Sequence, residues 1–152
     1  MYVRISTIAL ALALMASACV APAASPSPTV KPLAVITITQ PAAGATVPAG
    51  DVTVTYDVSD VVLVPAASAQ RPEDYHLHAV LDLDTSPWVG TSVAVPAGSA
   101  NPNPARVIHT AAKTVTFTNV TAGDHTITIW LSFSTHISVV PAVSATRKFT
   151  VR

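Results

Sequence analysis

Histidine is the only concentrated titratable chemistry in this sequence. Five His residues occur, there is one Cys, at position 19, and no Met follows Met15. His76-Leu77-His78 is the sharpest piece. On a strand, residues i and i+2 project from the same face about 6.5–7 Å apart, so two imidazoles at that spacing can converge on one ion. Neutral imidazole suits Cu(II) or Zn(II), whereas Cu(I) sites often recruit sulfur. A blue-copper centre requires a Cys ligand in the domain, and none is present there. No G-x-S-x-G elbow, H-E-x-x-H or phosphate loop occurs, and no nucleophile pairs with a base, so the chain is expected not to be an enzyme.

The elements that must position these rings are short strands. From Ala34 onward, stretches rich in Val, Ile and Thr alternate with period two and are broken by Pro, Gly, Asn and Asp clusters such as Pro41-Ala-Ala-Gly44 and Thr121-Ala-Gly-Asp124. No helical stripe is evident. Strands are predicted at Val35–Thr39, Val52–Val58, His76–Leu83, within Thr91–Val95, and at Lys113–Thr118, His125–Ser132 and Val143–Val151. About seven short strands predict an all-β fold, an immunoglobulin-like Greek-key β-sandwich. In the third strand, parity places Leu77, Ala79, Leu81 and Leu83 in the core and His76, His78, Val80 and Asp82 on the other face.

Alternating strand direction gathers the distant histidines. His76 and His78 open the third strand, His109 precedes the fifth, and His136 lies between the sixth and seventh, all at one end of a sandwich. The expected metal ligands are therefore His76, His78 and His136, with His109 as a fourth. His125, at the far end and inward-leaning, reads as an anchor for its turn. Asp82 and Asp84 are either hydrogen-bond partners of a histidine or solvated strand-end residues. Trp88 and Trp130 either form a sugar-stacking platform or cover the sheet locally. The long connection Asp84–Thr110, with four Pro, is an alternative source of function, as a binding loop for protein or glycan partners of a non-catalytic cell-envelope module.

The first residues read as an address. Arg4 precedes the apolar stretch Ile5 to Met15, and Ala16-Ser17-Ala18 supplies small residues before Cys19. Ala-Ser-Ala-Cys resembles the bacterial lipobox, which implies cleavage after residue 18 and lipidation of Cys19. The same residues satisfy ordinary signal peptidase, which would leave the protein secreted. An unpaired thiol in an oxidising compartment is a liability that lipidation removes. The expected organisation is a signal peptide at 1–18, a Pro-, Ala- and Ser-rich tether at 19–33 and a sandwich domain at 34–152. Lipidation would hold the protein by Cys19 on the outer side of the cytoplasmic membrane, or on the outer membrane.

Composition narrows the partners. Only 11% of residues are charged, and eight Lys and Arg balance eight Asp and Glu. No basic field is available for nucleic acid, so no nucleic-acid partner is expected. The P-x-x-G-x-x-V opening, the H-x-H strand and the G-x-H-T-I-T-I stretch with a later His resemble uncharacterised bacterial immunoglobulin-like lipoprotein domains, over Ile36 to Val151. H-x-H on a Greek-key sandwich also resembles copper,zinc superoxide dismutase. Without a disulfide pair or a zinc-loop His/Asp cluster, that second resemblance implies no dismutase activity.

Overall fold

The computed structural model describes residues 34–152. The expected signal peptide, tether and lipidated Cys19 lie outside the described residues. The described chain is an all-β sandwich of two sheets. One sheet orders β1 (Val35–Gln40), β3 (Gly50–Ser59) and β6 (Thr114–Val120) as β1-β3-β6. The other orders β2 (Thr46–Val47), β8 (Ser144–Val151), β7 (Gly123–Ser132), β4 (His76–Leu81) and β5 (Val107–Thr110) as β2-β8-β7-β4-β5. All pairings are antiparallel except the short β2–β8 ladder.

Period-two alternation makes the interior. Ile36 and Ile38 of β1, Val52, Val54 and Tyr56 of β3, and Val115 and Phe117 of β6 face Leu77, Ala79 and Leu81 of β4 and Ile127, Ile129 and Leu131 of β7. Each such side chain contributes about 1.5–3 kcal/mol of burial, which suffices for one core without a disulfide.

The five-stranded sheet is covered on its second face as well. Every residue of β4 is buried, which a strand with one solvated face does not show. The cover is the connection from β4 to β5. Leu83, Trp88, Val89 and Val95 pack there against Val80, Val107 and Trp130 of the sheet. Trp88 lies nearly parallel to Trp130, with ring centroids 6.5 Å apart. Backbone and side-chain hydrogen bonds tie this cover down, from Leu81 N to Arg106 O, Val95 N to His136 O and Gly90 N to Ser138 Oγ. Trp130 is fully buried, so of its two expected roles it takes that of local packing and cannot serve as a sugar platform.

Three strand expectations are corrected. Thr91–Val95 is not a strand; it belongs to the cover, and the missing strand is β5 at Val107–Thr110. Of this segment only Val95 packs against Trp130, while Val93 is exposed. Leu83 does not share the core face of Leu77. Asp82 adopts a left-handed φ of 58°, which ends β4 at Leu81 and turns Leu83 into the covering cluster. The short β2 was not expected, because two residues are too few to show a period.

Trp130→Ala should destabilise the protein by about 3–5 kcal/mol, since it removes the centre of the second cluster and leaves a cavity under Trp88. Denaturant unfolding measures this. A loss below about 1 kcal/mol would mean that the cover does not depend on that ring.

Candidate metal centre

The rings that the sequence singled out meet on the covered face of the five-stranded sheet, near the end where β4 begins. Parity puts His76 and His78 on the face opposite Leu77 and Ala79. Register then supplies the neighbours. His78 stands opposite His109 of β5 on one side and Trp130 of β7 on the other, while His76 stands opposite Ser132. His109 is thus a member of β5 and not a residue ahead of a strand, which corrects its expected position.

His136 arrives from the turn after β7. Phe133 O accepts from His136 N, and Phe133 N donates to Ile137 O, closing a tight loop that folds back on the sheet. His136 itself has a φ of 65°. Holding a non-glycine residue there costs of order 1–3 kcal/mol, and the surrounding hydrogen bonds, including Val95 N to His136 O, hold it in place.

Three nitrogens converge. His76 Nε2 lies 3.0 Å from His78 Nε2, and His78 Nε2 lies 3.2 Å from His136 Nδ1. One donor from each of His76, His78 and His136 falls within 4.8 Å of the others, and no Asp, Glu or Cys belongs to the group. These three histidines can hold a metal ion. With metal–nitrogen bonds of about 2.0–2.1 Å, neighbouring ligand atoms stand about 2.9 Å apart in a square arrangement and about 3.3 Å apart in a tetrahedral one. The two separations from His78 Nε2, 3.0 Å and 3.2 Å, lie between these values.

Hydrogen bonding alone does not satisfy the cluster. An imidazole nitrogen has one in-plane position, holding either a proton or a lone pair. His78 Nε2 faces two nitrogens and can satisfy only one. The His78 and His136 rings are within 5° of parallel with centroids 5.4 Å apart, so at 3.2 Å they meet nearly edge to edge, as an N–H···N pair does. The contact with His76 is the unsatisfied one. Ser132 Oγ lies 3.1 Å from His78 Nδ1 and can accept its N–H, which leaves the Nε2 lone pair facing the cluster. His76 Nδ1 and His109 Nε2 are buried without any partner.

His109 is close but not convergent. Its ring centroid lies 4.4 Å from that of His78 and 4.6 Å from that of His136, yet its donor is outside the group of three. His125 is elsewhere and does other work. Its Nδ1 lies 2.7 Å from Asp82 Oδ2 and its Nε2 lies 2.9 Å from the carbonyl of Thr121, anchoring the β6–β7 turn as expected. Asp82 is therefore a histidine's hydrogen-bond partner, but not that of a clustered one. Asp84 accepts from Ser86 N and Ser86 Oγ in a local turn.

Ser132 was not singled out in the sequence. Its signal was available only through the β4–β7 register, since a lone Ser at a strand end carries no pattern.

Burial keeps the cluster neutral. It pushes His76 down to about 4, with His136 and His109 adding to the effect, and His78 down to about 2, with His109, His76 and His136 adding. His109 is pushed down to about 4 by burial and then by His136, and burial also lowers His136. No protein-family model matches the chain, and no curated protein matches it.

Because the folded-state values lie below the ordinary 6.5 of histidine, the unfolded chain binds more protons once the pH drops below about 6.5. Stability of the metal-free protein is therefore complete above that pH and lost progressively as the pH falls toward 4. Melting temperatures taken between pH 7.5 and 4 should show this decline. A flat profile would contradict the burial of neutral rings.

Proposed function

We propose that this chain is an extracytoplasmic, lipid-anchored protein that binds a divalent transition metal, Cu(II) or Zn(II), through His76, His78 and His136. Its role is to hold or deliver the metal and not to catalyse a reaction. One observation carries the reading: His78 Nε2 sits between two other imidazole nitrogens and has a single valence with which to meet them. A cation on three lone pairs removes that conflict. It also gives a reason for placing so many titratable rings where solvent is scarce, a placement that is otherwise costly.

The chain's own residues set the terms of binding. His76 and His78 are fixed by β4, so their donors are held in advance. His136 comes from a turn and is partly exposed, which makes it the ring able to swing from its edge-to-edge contact with His78. Ser132 holds the His78 tautomer that offers Nε2. Since burial already holds His76 and His78 neutral at pH 7, no positive charge on them has to be discharged before a metal enters.

The export signal and Cys19 support the location by sequence alone. An exported His-only site without sulfur suits Cu(II) or Zn(II) over Cu(I).

Calorimetric titration of the protein with Cu(II) and Zn(II) should give one ion per chain. Ser132→Ala should weaken binding by about 10-fold, and His78→Ala or His136→Ala by more. His125→Ala should lower stability and leave the stoichiometry unchanged. Uptake that survives both His78→Ala and His136→Ala would reject the site. Affinity for the metal should hold steady from pH 7.5 to 6, where an ordinary histidine site already weakens through protonation. A tenfold fall across that interval would show that the rings are solvated.

A further inference from the structure

We infer that the centre leaves one coordination position open toward a groove beside β5, and that this position takes a carboxylate carried on a small apolar body. The inference rests on the metal-binding reading above. It begins with charge. The group of three donors consists of imidazoles alone, with no Asp, Glu or Cys among them. A divalent ion held there keeps its full charge in a buried setting. An anion on the remaining position offsets that charge at least cost.

The fourth ring points the same way. His109 is packed against His78 and His136 but does not converge with them, and its Nε2 is buried with no partner. A protonated Nε2 beside the ion can donate to an oxygen bound on the metal. His109 is then a positioning residue for the exogenous ligand.

Beyond His109 the surface is shaped for the ligand's body. His109, Thr110, Ala111 and Ala112 form one side of a groove of about 690 Å³. Leu63, Pro65, Ala66 and Ala67 supply the rest of its lining. This volume falls in the range of small-molecule sites. The small apolar side chains leave room for an alkyl group and give it nothing to hydrogen-bond. Val64 N donates to Tyr75 O, so this wall is fastened to the residue just before His76. The groove and the centre therefore share a frame.

The test loads the full chain with one equivalent of Cu(II) and then adds acetate or butyrate, reading the visible absorption and the electron paramagnetic resonance of the ion. Butyrate should shift both spectra saturably and bind about 10-fold more tightly than acetate, as expected for burying two more methylenes. His109→Ala should weaken butyrate binding several-fold while leaving Cu(II) affinity within about threefold, an effect smaller than the loss of a ligand. His109→Gln keeps an N–H donor and should restore part of the binding. Ala112→Phe should abolish the preference for butyrate over acetate and retain the acetate shift.

Absence of any carboxylate-induced spectral change overturns the open position. Loss of Cu(II) affinity in both His109→Ala and His109→Gln as large as in His78→Ala overturns it too, because His109 would then be the fourth ligand. Failure of the unsubstituted protein to take up Cu(II) or Zn(II) overturns the metal reading itself, and is separable from the other two outcomes because loading is measured first.

Discussion

The structure depends on covering both faces of one strand. β4 is buried along its whole length, with Leu77, Ala79 and Leu81 in the sandwich interior, Val80 beneath the β4–β5 connection, and His76 and His78 packed with His109, His136 and Trp130. A sandwich sheet ordinarily leaves its outer face to water, where imidazoles titrate near neutrality and serve no defined partner. Here the Trp88–Trp130 layer and the folded-back cover withdraw that face from solvent. Burial lowers the proton affinity of the rings, and side chains of β4 and of the turn after β7 come within hydrogen-bonding distance. Packing and chemistry thus share one cause.

The cover and the centre also stabilise one another. Val95 N donates to the carbonyl of His136, and Gly90 N donates to Ser138 Oγ, so the loop that shields the sheet also grips the turn that carries the third ring. His136 holds a left-handed backbone that isolated chains disfavour. Such a residue persists only where neighbours determine it.

Much of this was legible in the sequence, for a definite reason. Period-two alternation marks strands whose two faces differ, so β1, β3, β6, β7 and β8 could be read, and the i, i+2 spacing of His76 and His78 fixed their shared face. β5 was missed because Val107 to Thr110 is only four residues long and follows a Pro- and Asn-rich stretch that masks its start. Its omission displaced His109 from strand to loop; the ring packs against His78 and His136 without joining the converging group. The second hydrophobic layer was also invisible. Trp88, Val89 and Val95 carry no period, and only the folded packing shows that they join Trp130 and Val107 in one cluster. Ser132 became a candidate only once His76 was found opposite it.

Counting donors and acceptors separates the two kinds of histidine that one sequence presents. His125 faces a carboxylate and a carbonyl, both of which accept, so both of its ring nitrogens lie against protein oxygens. Such a ring is complete and leaves nothing for an ion. His78 faces a hydroxyl on one side and two nitrogens of its own kind on the other, and no distribution of protons satisfies all three. His76 and His109 each keep a buried nitrogen with no partner at all. Unmet valence in a dry site is expensive. Of these unmet positions, the ones that converge are those of His76, His78 and His136, and that group can hold a metal ion.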